Sequence, residues 1–255
     1  MRFDILTIFP ELLRSPLEEG ILRRALERQQ ISVNLVNIRD FAHDRHQMTD
    51  DRPFGGGEGM VMKPEPLSEA LKSCQESEKK TRTILLSPQG RRFDQRTAEE
   101  FAAEEEHLIF VCGRYEGVDQ RFIDSYVNEE LSIGDFILTG GELGAMIVVD
   151  TVTRLLPDVL GCADSSGKDT FSRNLLKHPQ YTRPREFEGV EVPPELLTGN
   201  HEEIDRYRFL ESVRNTLNKR PQLLKEERFS PAEIKLLKKA GLFSQIRSIQ
   251  HREIQ

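Results

Sequence analysis

The sequence predicts an α/β fold built on a mostly parallel sheet, followed by a small, mainly helical second domain. Short apolar runs bounded by turns alternate with helical patterns through residues 1–160, the pattern expected of parallel strands joined by crossover helices. Beyond Pro157 the chain turns polar and proline-rich. Glycine-punctuated turns also follow two of the apolar runs, where sheets of this class bind ligands at their strand ends.

The strands are expected at FDILTIF, ISVNLVNI, TRTILLS, HLIFVCG and NEELSI. Helical spacing lies between them at Pro16 to Gln29, Pro66 to Glu76, Thr97 to Glu106 and Val118 to Val127. The apolar stretch Glu142 to Leu156, with Asp150 and Arg154 as its only interior charges, reads as a buried helix closing the domain. GCADSSGK, Gly161 to Lys168, is small, polar and flanked by glycine, so 161–173 reads as a flexible linker. In 174–255, proline-rich loops precede two expected helices, Glu202 to Lys219 and Pro231 to Ala240. The second opens on SPAE, with Ser230 as N-cap and Pro231 in the first turn.

The composition is that of a soluble globular protein, with 37% hydrophobic and 31% charged residues. It contains no apolar run of the ~18 residues a membrane helix needs. MRFDILTIFP reads as a first strand rather than a leader, which points to the cytoplasm. Cys74, Cys112 and Cys162 are best read as reduced thiols, and no cysteine has metal-ligand spacing with a histidine. His43 and His46 are i, i+3 neighbours but read as a solvated pair. The net charge of −7 conceals an asymmetry, since residues 1–170 sum to −11 and residues 171–255 to +4. Any phosphate-binding face must therefore be assembled locally, and Lys235, Lys238 and Lys239 read as solvating the outer face of the last expected helix.

CGRYEGVDQR and LSIGDFILTGGELGAM fit neither G-x-G-x-x-G nor the P-loop pattern, which argues against NAD and ATP. Their glycines serve either as ligand-cradling turns or as turn and helix-cap residues. DDRPFGGGEGM, Asp50 to Met60, is the one long irregular segment inside the first domain, and reads either as a close-approach ligand loop or as a plain flexible one.

Taken in order, DDRPFGGGEGMVMKPEP, LLSPQGRRFDQ, FVCGRYEGVDQR, LSIGDFILTGGELGAM, HPQYTRP, VPPELLTGNH and NKRPQLL resemble the bacterial tRNA (guanine-N1)-methyltransferase family, TrmD, from Met1 to about Leu224. The resemblance implies transfer of a methyl group from S-adenosylmethionine to N1 of guanosine 37 of tRNA. It implies a SPOUT fold with a deep trefoil knot in a first domain, 1–160, and tRNA binding by 174–255. It also implies a homodimer with composite active sites. Periodicity shows no knot, and topology rules alone would disfavour one.

By the same resemblance the donor pocket takes Leu86, Ser87 and Pro88 from the first loop and Gly113, Tyr115 and Glu116 from the second. From the third it takes Ile133, Gly134, Asp135, Phe136, Ile137, Leu138, Gly140 and Gly141. Candidate tRNA contacts are Arg52, Gly57, Arg183, Asn200, His201 and Arg206, with Arg183 and Asn200 equally readable as loop organisers. The chain departs from the family pattern at Phe54, Glu58, Phe136 and Thr170.

N1 of guanine carries a proton at neutral pH, so a carboxylate must remove it while a cation stabilises the charge growing on O6. The resemblance assigns these roles to Asp169 and Arg154. The residues alone leave alternatives: Arg154 could pair with Asp150 or Asp158, and Asp169 could cap a helix. The sulfonium donor demands no metal. The family is associated with Mg2+, but no ligand cluster in the sequence places it. Two rivals are a SPOUT-type enzyme with another RNA target, against which Asp169 and Arg154 argue, and a non-catalytic RNA-binding protein, against which the full donor-loop set argues.

Overall fold

The computed structural model of the chain describes residues 1–75, 81–104, 107–160, 170–171 and 173–251. It divides into two compact units, Met1–Ala163 and Asp164–Gln255.

The first unit is built on a five-stranded sheet in the order β2-β1-β6-β5-β7, with every neighbouring pair parallel. The strands are β1 (Arg2–Thr7), β2 (Ser32–Asn37), β5 (Thr81–Arg92), β6 (His107–Cys112) and β7 (Glu129–Ser132). All five expected runs therefore form strands. β6 is buried at every position because the sheet is covered on both faces, which is why it reads as a continuous apolar run rather than an alternating one.

Alternate residues feed two separate cores. Phe3, Ile5, Phe110 and Cys112 point to one layer with α2 (Gly20–Glu27), α4 (Gln95–Glu104) and α6 (Glu142–Thr153). Leu6, Ile109 and Val111 point to the other with α3 (Pro64–Cys74) and α5 (Gln120–Tyr126). The short pair β3 (Asp50–Asp51) and β4 (Val61–Met62) is antiparallel and closes the glycine-rich loop.

Two expected helices differ in extent. The segment Pro16 to Gln29 is broken into α1 (Arg14–Leu17) and α2, because Glu19 is extended and Gly20 has φ +63°. The helix expected to reach Leu156 ends at Thr153 with Arg154 as its C-cap. Leu155 and Leu156 continue only as tight turns onto Val152 and Thr153, since the residue before a proline, here Pro157, is driven out of the helical region.

In the second unit a two-stranded ribbon, β8 (Glu186–Phe187) with β9 (Val190–Glu191), precedes α7 (His201–Lys219), α8 (Pro231–Lys239) and α9 (Phe243–Gln250). Asn200 caps α7 by accepting from the backbone N–H groups of Glu202 and Glu203. Ser230 and Glu233 form the reciprocal capping box that SPAE announces. Sequence reading missed α9, although Leu242, Ile246 and Ile249 carry its spacing. Lys235, Lys238 and Lys239 are exposed, and Lys238 lies over the Phe243 ring.

The sheet carries an unusual buried pair at its amino-terminal edge. Asp4 on β1 and His107 on β6 are both buried and hydrogen-bonded through His107 Nε2, with Arg2 3.0 Å from Asp4. Burial pushes the Asp4 carboxyl upward, but hydrogen bonds from His107 and Asn34 and the neighbouring positive charges outweigh it and hold it below the usual carboxylate range. Removing one member of such a pair strands the other, so Asp4→Ala should cost about 3–5 kcal/mol in urea unfolding at neutral pH. Because the unfolded carboxyl takes up a proton first, the wild-type advantage should be full above about pH 4 and shrink in stronger acid. A wild-type to Asp4→Asn stability difference that stays constant down to pH 2.5 would contradict this linkage.

Candidate active site

The carboxyl ends of β5, β6 and β7 open onto a single cavity of about 410 Å³. This lies within the roughly 300–1,000 Å³ of small-molecule clefts.

The first wall comes from an irregularity in β5. Leu131 of β7 pairs with both Leu86 and Arg91, so Ser87 to Gly90 are extruded as a bulge. The Ser87 hydroxyl accepts from the Gln89 N–H at 3.1 Å and ties the bulge. Gly90 is required there, because a Cβ would sit 2.3 Å from the Glu130 carbonyl carbon. Sequence reading did not single it out, since nothing local marks a backbone approach from another strand.

The second wall is the turn after β6, Gly113 to Val118, with Tyr115 at φ +59° and Gly117 at φ +118°. The third follows β7, where Ser132 Oγ accepts from the Gly134 N–H at 3.2 Å. A Cβ on Gly134, whose φ is +150°, would strike the Phe136 ring.

This third loop then returns to the second. Arg114 bridges Gly140, and the Gly141 N–H donates to the Gly113 carbonyl at 3.1 Å. Gly141 is the N-cap of α6 with an ordinary φ of −77°. It is glycine for space rather than conformation, since a Cβ would lie 2.8 Å from Cys112 Cα and 2.9 Å from Leu86 Cβ.

Leu86, Ser87, Pro88, Gly113, Tyr115 and Glu116 from the expected donor set line this cavity. So do Ile133, Gly134, Phe136, Ile137, Leu138, Gly140 and Gly141. Asp135 does not, for its carboxylate turns outward onto Arg92. Sequence reading also missed Arg114, which lines the cavity and pairs with the buried Glu142.

The glycine-rich loop is anchored to the second wall. Glu116 N–H donates to Met60 O and Met62 N–H to Gly117 O, each at 2.9 Å. Gly55, Gly56, Gly57 and Gly59 all have positive φ, and a Cβ on Gly59 would meet the Glu116 side chain at 2.5 Å. Arg52 is exposed, and Phe54 at the loop's tip is 98% exposed.

Arg154 is half-buried at the end of α6 and is not among the cavity-lining residues. Asp169 lies outside the described residues. In the second unit Arg183 and His201 are exposed, and Arg206 pairs with Glu202 one turn away at 3.6 Å. Among the described residues no cluster of His, Cys, Asp and Glu could hold a metal ion. Nor is any described helix long and apolar enough to cross a membrane.

The two described cysteines are inert by environment. Burial pushes the Cys74 thiol up to about 11, and burial reinforced by the Glu142 charge holds Cys112 well above the ordinary thiol range. Both stay protonated at neutral pH, so neither offers a thiolate nucleophile.

Residues 1–226 match the family described as tRNA (Guanine-1)-methyltransferase TrmD. The chain belongs to this family. A Dehalococcoides mccartyi protein named tRNA (guanine-N(1)-)-methyltransferase is 50% identical over 238 residues, 93% of this chain and 96% of its own. Proteins of the same name from Geobacter sulfurreducens and Bacillus cereus are 52% and 49% identical. They cover 91% and 93% of this chain, and 95% and 97% of their own lengths.

The geometry shows where crowding is critical. Gly141→Ala should lower stability by about 1–3 kcal/mol, the usual cost of overpacking. It should also distort the cavity, because the atoms it meets are the Cys112 backbone and the Leu86 stem. Thermal unfolding together with ligand-free proton–nitrogen NMR spectra of the cavity loops measures both. An unchanged melting temperature would show that α6 can retreat from the strand ends at no cost.

Proposed function

We propose that the protein transfers a methyl group from S-adenosylmethionine to N1 of guanosine 37 in tRNA, and that it works in the cytoplasm. The observation that carries this reading is the convergence of the three family loops on one cavity at the strand ends. The lining suits the donor. Leu86, Ile133 and Leu138 offer an apolar slot for adenine, and the glycine-dense backbone of the second and third loops offers hydrogen-bonding groups at its edge.

The bound sulfonium donor supplies a methyl group that is already activated. The chain's own work is then to strip a proton and to align the acceptor. Asp169 takes the N1 proton, and Arg154 stabilises the negative charge on O6, drawing the guanine toward its ionised form. Holding N1 in line with the methyl group supplies most of the remaining rate, as expected where no covalent intermediate is formed. The protonated Cys74 and Cys112 thiols fit a direct displacement without a protein nucleophile.

The family's deep trefoil knot is part of this reading. The return of the third loop onto Gly113 and Arg114 suits a cleft that binds its donor between crossed segments. The second unit, with Arg183, Asn200, His201 and Arg206, and the glycine-rich loop, with Arg52 and Gly57, grip the tRNA. The target base is unstacked into the site. Mg2+, if used, acts through the RNA.

The working unit is a homodimer with composite sites. Leu143 and Ile147, one turn apart on α6, are both about half exposed, and Phe136 and Ile137 on the cavity rim are also exposed. A second copy would bury these apolar side chains at an isologous interface.

The decisive experiment incubates pure protein and donor with unmodified tRNA and maps the product by mass spectrometry. A single added methyl on N1 of guanosine 37 is expected, and methylation elsewhere would overturn the assignment. Asp169→Asn should abolish single-turnover transfer with donor affinity nearly unchanged. Arg154→Ala should slow chemistry about a hundredfold or more, well beyond its effect on tRNA affinity. Co-expressed heterodimers of these two variants should recover activity, because one of their two sites combines an intact Arg154 with an intact Asp169. Heterodimers no more active than their parents would rule out sites shared in this way.

A further inference from the structure

One buried carboxylate beside the cavity has no part in the chemistry above. Glu142, the first residue of α6, is 1% exposed. Its Oε1 accepts from Thr7 Oγ1 at 2.7 Å and from Arg114 Nε at 3.1 Å, and its Oε2 lies 3.0 Å from an Arg114 terminal nitrogen. The Arg114 guanidinium also lies over the Phe9 ring, 4.5 Å from its centroid.

A buried ion pair is seldom worth more to stability than apolar side chains of similar volume. Three features place this one at the donor cavity. Arg114 is a lining residue, and the next residue, Tyr115, has φ +59°, a left-handed conformation that a non-glycine residue keeps only where its surroundings fix it. Gly140 passes directly over the pair, since a Cβ there would lie 2.3 Å from Arg114 Nε and 2.5 Å from Glu142 Oε2. The ion pair is thus the floor on which the third loop rests and the post to which the second is tied.

We infer that Glu142 is a positioning residue for donor binding: through Arg114 it locks the Arg114 to Gly117 turn against the Thr139 to Gly141 loop and so fixes the spacing of two cavity walls. Thr7 orients the carboxylate from the end of β1, and the amino end of α6 favours its charge. This inference rests on the reading that the cavity takes S-adenosylmethionine.

The test is calorimetric binding of S-adenosylhomocysteine, the spent form of the donor, to full-length protein well below its melting temperature. Glu142→Gln keeps the side chain's shape and its acceptor for Thr7 but loses the charge pairing. It should weaken binding at least tenfold and raise KM for the donor in parallel, with KM for tRNA changed less than twofold. Arg114→Lys keeps the charge but loses the fork geometry, and should weaken binding severalfold. The double variant should bind no worse than the weaker single, because both remove one interaction. A Glu142→Gln protein that melts earlier yet binds the probe with wild-type affinity would overturn the inference, leaving the pair a fold element. Should that variant not fold, unaltered affinity in Arg114→Lys overturns it equally. Wild-type protein that fails to bind the probe would remove the donor reading and this inference together.

Discussion

The close approach of α6 to the ends of β5 and β6 is the constraint on which the site depends. Gly141 sits where any side chain would collide with Cys112 and Leu86, so the helix starts directly against the sheet. Its N–H is bonded to Gly113, which brings the third loop back over the second. Without that contact the three loops would be neighbours in sequence order but would not enclose a common space.

Rigidity around the cavity is distributed in layers. The sheet beneath it is buried on both faces, and the layers above and below draw on alternate residues of the same strands. The loops rising from it are fixed by short-range devices: a hydroxyl-tied bulge after Leu86, a left-handed turn at Tyr115, and a backbone anchor from Met60 to Glu116. The outermost elements, Phe54 and Ile137, remain open to solvent. This gradient from fixed floor to exposed rim suits the proposed role of the cavity, which would hold a small donor and admit a nucleobase from tRNA.

Electrostatics follows the same division. The Asp4–His107 pair sits at the amino-terminal edge of the sheet and the Arg114–Glu142 pair at its carboxyl edge. The first is fully buried and joins β1 to β6, and the second joins the turn after β6 to the start of α6, with Glu142 buried and Arg114 partly so. The first contributes to cohesion of β1 with β6. The second lies against the cavity and organises its walls.

The sequence by itself determined the five strands of the central sheet, because strands of a parallel sheet covered on both faces read as largely apolar runs and these are bounded by clear turns, whereas the short pairs β3–β4 and β8–β9 carry no such pattern. It also determined the capping of α8 by Ser230, a purely local interaction. Of the donor residues that the family motifs point to, all but Asp135, turned outward onto Arg92, line the cavity, while other lining residues such as Arg114, Val118 and Thr139 were not singled out. What only the tertiary structure decided were facts of distance between remote segments. Gly90 and Gly141 are needed because backbones from other strands pass within contact of them. In sequence Glu142 is only the first residue of an expected helix, and it becomes a buried anchor because Thr7 and Arg114 meet it there. Local pattern encodes local conformation, whereas the need for a missing Cβ or a buried charge arises only once the chain has folded back on itself.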